Sequence, residues 1–203
     1  VIRYAITDRL SLGVDEPTRR AALLSLVKRW AAEGIDYIQL REKDLSVAAL
    51  EDLACAINAI LFEAGARTRL LINSSLEAAL AANAAGLHLT AAHNQPTFAE
   101  IRELFAAASR SPILSISCHT LAEVARARHE QVDLILFGPV FGKTVAGAEV
   151  TPAAGLEALH AACQAADGIP VLALGGVTEA NTAACLAAGA AGIAGIRLFA
   201  GNI

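Results

Sequence analysis

A chain of 203 residues and 21.0 kDa can bury roughly 70% of its extended surface in one domain and is short for two, so a single domain over residues 1–203 is expected. With 55% apolar and 18% charged residues the chain is not disordered. A formal charge of -4, from 16 basic and 20 acidic residues, supplies no basic field for nucleic acid or an acidic membrane surface, leaving only a local patch for a small anion.

The four cysteines, Cys55, Cys118, Cys163 and Cys185, are far apart and show none of the close pairing of zinc or redox motifs, so reduced thiols in a cytoplasmic protein are expected. No apolar run approaches the roughly eighteen residues of a membrane span, and residues 1–8 lack a basic region leading into an apolar stretch. Because residue 1 is Val and not Met, the true amino terminus is expected to lie upstream.

In chain order, a first strand is predicted over residues 4–7. A helix over about 17–33 follows, with Pro17 near its start and Gly34 past its end. Residues 35–40 form a short apolar strand covered on both faces, which runs directly into the charged cluster Arg41, Glu42, Lys43 and Asp44. A helix over 47–64 ends at Gly65, and a strand over 69–72 leads into Asn73, Ser74 and Ser75, where a hydroxyl can cap a helix over 76–84. The alternation continues with strands at 87–89, 113–117, 134–137, 171–174 and 192–196. The helices between them are predicted at 97–108, 121–129, 156–166 and 179–188, and a glycine-rich loop follows residue 137. Eight such strands fit a compact α/β (β/α)8 TIM barrel, with the last helix short or absent, better than the alternative of an open Rossmann sheet.

Ligands of parallel α/β folds sit at the carboxyl ends of the strands, where a barrel gathers residues distant in sequence. The candidates are Thr7 and Asp8 after the first strand, Gln39, Arg41 and Lys43 after the second, and Asn73 to Ser75 after the third. Thr90 to His93, Ser117 to His119, the 138–144 loop, Gly175 with Gly176, and Gly195 to Arg197 complete the ring. Residues 41–44 read equally as an anion site or a solvated turn of mixed charge. Gly175 and Gly176 let a ligand oxygen approach backbone N–H groups, with Arg197 adding a charge; the plainer alternative is a turn beside a solvated arginine. His88, inside a strand, reads as structural, and His129 and His160 as surface residues. His119 follows the fifth strand, where an imidazole suits proton transfer or, alternatively, capping. Cys118 beside it is not a paired nucleophile, because adjacent strand residues face opposite ways.

The stretches YIQLREKD at 37–44, LIN at 71–73, AGLHL at 85–89, SCHT at 117–120, FGPVF at 137–141, ALGGV at 173–177 and AGIA at 191–194 occur in an order that resembles the thiamine phosphate synthase and TenI family. The resemblance covers nearly the whole chain and implies a compact (β/α)8 barrel, often a homodimer. The synthase branch couples an aminopyrimidine pyrophosphate to a thiazole phosphate with magnesium, releasing pyrophosphate. By position, Gln39, Arg41, Lys43 and Asn73 would bind the pyrimidine and its phosphates, and Ser117 the central pocket. Gly176, Ile196 and Arg197, beside Gly175, would hold the thiazole phosphate.

Two departures stand out. The family's magnesium aspartates correspond to Ser74 and His93, neither of which is a hard anionic ligand. The family's lysine-bearing loop reads Phe141-Gly142-Lys143-Thr144 here, which makes Lys143 a phosphate candidate from a shifted position. The TenI branch, associated with thiazole tautomerisation, carries a histidine matching His119. The expectation is therefore metal-independent tautomerisation of a thiazole phosphate, with His119 as general acid or base and the loops after the seventh and eighth strands holding the phosphate; Arg41 and Lys43 are further catalytic candidates. The alternatives are a variant magnesium-dependent synthase, a non-catalytic phosphate-binding barrel, and an aldolase-like enzyme using Lys43 or Lys143.

Overall fold

The structure, a computed structural model, describes residues 1–90, 96–145 and 148–201, with residues 143–145 and 148–151 described by backbone alone. Its strands are β1 (Ile2–Ile6), β2 (Tyr37–Leu40), β3 (Arg69–Asn73), β4 (Gly86–Leu89), β5 (Ile113–Cys118), β6 (Leu134–Phe137), β7 (Lys143–Val145), β8 (Ala148–Thr151), β9 (Val171–Leu174) and β10 (Gly192–Gly195). The helices are α1 (Glu16–Ala32), α2 (Val47–Glu63), α3 (Leu76–Ala81), α4 (Phe98–Ala107), α5 (Leu121–His129), α6 (Gly155–Ala165), α7 (Glu179–Ala187) and α8 (Arg197–Ala200).

Among the described residues, eight strands close into a parallel barrel in the order β1-β10-β9-β6-β5-β4-β3-β2. Closure is made by β1, which pairs with β10 through Ile2 and Gly192 and with β2 through Tyr4 and Tyr37. The expected (β/α)8 architecture is therefore the observed one, and the open sheet is excluded.

Strands β4 and β6 are buried along their whole length, because one face meets the barrel interior and the other meets helices. Tyr4, Ile6, Leu71, Leu134, Leu136, Leu172 and Ala194 fill the interior. Ala5, Ile38, Leu40, Leu70 and Ile72 face outward into a larger layer with Leu23, Val27, Trp30, Ile57 and Phe105 from the helices. The two-residue alternation of a strand is thus present, but both of its phases are apolar.

Side-chain caps start the helices directly after the strand-end loops. Asp15, Ser46 and Ser75 accept N–H groups of α1, α2 and α3, and Thr97 and Thr120 form capping boxes with Glu100 and Glu123. The last helix among the described residues, α8, is four residues long, as expected of a short last helix, and is tied back where the Trp30 Nε1–H donates to the Phe199 carbonyl at 2.8 Å.

Three features differ from the sequence expectation. The segment after β6 contributes an antiparallel pair, β7 and β8, which adds strands outside the barrel. A short 3-10 turn at Arg9–Leu12 separates β1 from α1. Helix α3 stops at Ala81, three residues early, because Asn83 takes a left-handed φ of 55° that the helix cannot continue through. All four cysteines are free, and no helix among the described residues is long and apolar enough to cross a membrane.

Candidate functional site

At the carboxyl ends of the strands lies a cavity of about 690 Å³, walled by Gln39, Arg41, Lys43, Asn73, His88, Ser117, His119, Gly175, Gly176, Ile196 and Arg197 among others. Of the residues singled out, it therefore gathers Gln39, Arg41 and Lys43 after β2, Asn73 after β3, Thr90 after β4, Ser117 and His119 after β5, and those after β9 and β10, whereas Ser74, Ser75 and Cys118 do not line it. Asp8 does not join them, since it heads the 3-10 turn, and Thr7 is buried under the site as an acceptor for the Arg41 backbone N–H at 2.9 Å. His93 and the Lys143 side chain lie outside the described residues, and the Lys143 backbone falls in β7 instead of a loop.

One end of the cavity is set by β2 and β3. The Gln39 Nε2–H donates to Asn73 Oδ1 at 2.8 Å, and Asn73 Nδ2 reaches Ser74 Oγ at 3.3 Å. Gln39 Oε1 is buried with no hydrogen-bond partner among the described residues. Such an acceptor is under-satisfied by about 1–3 kcal/mol until a donor arrives. Arg41 and Lys43 stand beside it, and neither forms an ion pair with a described residue.

The floor is a hydrogen-bonded set. His88 Nδ1 lies 2.9 Å from Ser115 Oγ, which lies 3.1 Å from the Tyr4 hydroxyl, while His88 Nε2 lies 2.9 Å from Ser117 Oγ. Burial, with the Arg41 charge as a smaller contribution, pushes the His88 pKa down from its ordinary 6.5 to about 3. Burial likewise raises that of Tyr4. The set is therefore neutral at pH 7, and it places Ser117 Oγ at the cavity wall. His88, expected to be structural, is buried within this network and also lines the cavity. The available signal was positional: Tyr4, His88, Ser115 and Ser117 all fall on inward-facing strand positions.

His119 is held by its neighbours. Its backbone N–H donates to Glu123 Oε2 at 2.5 Å, an extension of the α5 capping box, and its Nδ1 contacts the Gly138 carbonyl oxygen. A carbonyl only accepts, so Nδ1 carries a proton, and Nε2 has no hydrogen-bond partner among the described residues. Cys118 faces away from the cavity; burial pushes its thiol up to about 12, which removes it as a nucleophile.

The opposite end is formed by the loops after β9 and β10. Gly175 and Gly176 have φ of 88° and 65°, and a Cβ on them would stand 2.5 Å from Pro139 Cβ and 2.6 Å from Phe141 Cβ. Glycine is therefore required there by both conformation and space. The N–H groups of both glycines are unused by described backbone acceptors. Arg197, exposed at the start of α8, adds a cation.

The position matched to a magnesium aspartate does not fit the ion. Ser74 has a left-handed φ of 58°, donates its N–H to the His88 carbonyl at 2.9 Å and accepts from Asn73, offering a neutral hydroxyl where Mg²⁺ favours carboxylate oxygen. Among the described residues no group of three or more His, Cys, Asp or Glu is placed to hold a metal.

Fold and site together define a (β/α)8 barrel whose mouth carries Arg41 and Lys43 at one end and the Gly175–Gly176 loop with Arg197 at the other. The sequence profile of the family described as Thiamine monophosphate synthase matches residues 4–199. A Geobacter sulfurreducens protein provisionally named a thiamine-phosphate synthase is 40% identical over 191 residues, covering 94% of this chain and 83% of that protein. The thiamine-phosphate synthase of Methanoculleus marisnigri is 36% identical over 199 residues, covering 98% and 87%. In fold, the chain is similar to the thiamine phosphate pyrophosphorylase of Pyrococcus furiosus, with a TM-score of 0.76 at 24% identity over 96% of this chain and 85% of that one. The chain belongs to the thiamine monophosphate synthase family.

Proposed function

We propose that the protein is a variant thiamine-phosphate synthase, joining an aminopyrimidine pyrophosphate to a thiazole phosphate with release of pyrophosphate. The observation that carries this reading is the unpartnered Gln39 Oε1, fixed by Asn73 beside Arg41 and Lys43. An amide acceptor next to two cations suits a ligand that pairs an amino heterocycle with a polyanion. A thiazole tautomerase has one phosphate and one carboxylate to hold and no amino heterocycle, which would leave the Gln39 acceptor without a donor. The synthase reading of the relatives therefore displaces tautomerisation as the preferred activity.

Arg41 and Lys43 stabilise charge gathering on the departing pyrophosphate, while the N–H groups of Gly175 and Gly176, with Arg197, hold the thiazole phosphate. Ser117, oriented by neutral His88, is a hydrogen-bonding group at mid-cavity. Since Ser74 supplies no carboxylate, magnesium is assigned no resident site, and it would enter with the pyrophosphate as its counter-ion.

Thiamine phosphate formation by the purified protein, measured with magnesium and with chelator, is the test. Product in either condition supports the synthase reading. No product beside an active control synthase moves the activity to the thiazole end, where the free Nε2 of His119 favours the tautomerase. The homodimer implied by the family resemblance is checked by light scattering on the same preparation.

A further inference from the structure

The loop that follows β2 carries two cations and two carboxylates in alternation, so its formal charge is zero. It can attract an anion only if the carboxylates are engaged elsewhere. They are: Arg41 and Lys43 line the cavity, whereas Glu42 and Asp44 turn to Arg9 on the other side of the loop.

Arg9 is 2% exposed and Glu42 6%. The Arg9 guanidinium grips Asp44 with two parallel contacts, Nη1 to Oδ1 and Nη2 to Oδ2, both at 2.8 Å. Nη1 also reaches Glu42 Oε2 at 3.4 Å, and the Arg9 backbone N–H donates to Glu42 Oε1 at 3.1 Å and Oε2 at 3.2 Å. Nε donates to Glu16 Oε1 at 3.1 Å, which joins the grip to α1. Arg9 itself lines a separate outer groove with Glu16, Arg20 and Asp44 and does not touch the cavity.

We propose that Arg9 is a positioning residue for the anion end of the site: by holding Glu42 and Asp44 it sets the register of the loop, turns Arg41 and Lys43 into the cavity and keeps both carboxylates from neutralising them. The physical basis is twofold. A planar guanidinium fixes carboxylate direction as well as distance, so anchoring the second and fourth residues of the loop dictates where the first and third point. A preorganised pair of cations spends less of its binding energy on ordering than a free pair does. Arg3 and Arg29 also pair with carboxylates, but those are half-exposed surface contacts of low expected value.

The proposal rests on the reading of Arg41 and Lys43 as the pyrophosphate end, and it is tested without turnover. Inorganic pyrophosphate is titrated calorimetrically into the full chain carrying Arg9→Gln, Asp44→Asn or Arg41→Gln, and into the Arg41→Gln/Lys43→Gln pair with and without Arg9→Gln. Arg9→Gln is expected to weaken binding at least about tenfold, through misplacement of the two cations. Asp44→Asn, whose carboxylate is 44% exposed and whose loss leaves the core intact, is expected to weaken it about threefold. In the doubly substituted background the effect of Arg9→Gln should shrink to less than about twofold, since nothing remains to be positioned.

Equal losses in both backgrounds would make Arg9 a merely structural residue and overturn the proposal. So would unchanged binding in Asp44→Asn, which decides the matter by itself if Arg9→Gln does not fold. Unchanged binding in Arg41→Gln would remove the anion end altogether, and the brace with it. Weakening by Arg41→Gln alone would leave the anion end standing and overturn only the brace.

Discussion

Lowering the pH from 7 to 5 is expected to cost the folded chain about 2 kcal/mol through His88 alone. The unfolded chain takes up a proton on this imidazole near 6.5, whereas burial keeps the folded protein from doing so until about 3. Between those values the unfolded state binds more protons, so stability falls as pH falls, by up to about 1.4 kcal/mol per pH unit, and levels off below about 3. Against a total stability on the order of 5–15 kcal/mol this is a large fraction. Glu42, raised above its ordinary pKa mainly by burial, contributes with the opposite sign, so the comparison must be made with a variant at both pH values. His88→Asn keeps hydrogen-bonding capacity toward Ser115 and Ser117 but does not titrate. Urea unfolding at pH 7 and pH 5, followed by fluorescence of the single tryptophan, buried Trp30, gives the four stabilities. The variant should be less stable at pH 7 and lose about 2 kcal/mol less than the parent on going to pH 5. Equal losses would show that the histidine protonates inside the fold, and the neutral network under Ser117 would have to be abandoned.

His119→Asn is expected to leave thiamine phosphate formation within about threefold, because no proton transfer by this residue is needed for pyrophosphate to depart; a kcat fall beyond about tenfold in a thiazole tautomerisation assay would instead make Nε2 the working base. Gly176→Ala forces a Cβ to 2.6 Å from Phe141 Cβ at a φ of 65°. Thermal unfolding should show a loss exceeding about 1 kcal/mol, with weakened binding of the thiazole phosphate, and a variant with unchanged affinity would detach this loop from phosphate recognition.

Much of the site was legible in the linear order because strand ends in a barrel converge whatever lies between them. Once residues 35–40 read as a strand, Gln39, Arg41 and Lys43 had to stand at its mouth, and the same logic placed Asn73, Ser117, His119 and Arg197. The motif at 37–44 left open whether its charges were a site or a solvated turn. The structure answers that it is divided, two side chains to the cavity and two to Arg9, as the chain leaves β2 and turns at Lys43 and Asp44. Arg9 gave no signal of its own: an arginine in a predicted loop looks solvated until the loop after β2 is brought against it.

By itself the amino-acid sequence determined the number and order of the barrel elements, the ends of helices at Gly34 and Gly65, the hydroxyl cap among Ser74 and Ser75, and the family, since these depend on residues close together in the chain. Tertiary structure alone decided which apolar face of each strand fills the barrel, because Tyr4 and Ala5 are equally compatible with either side. It also decided the closure of Ile2 on Gly192, the neutral state of His88 and the unpaired acceptor of Gln39. Each of these depends on burial by residues distant in sequence, and desolvation is a property of the assembled core that no local pattern carries.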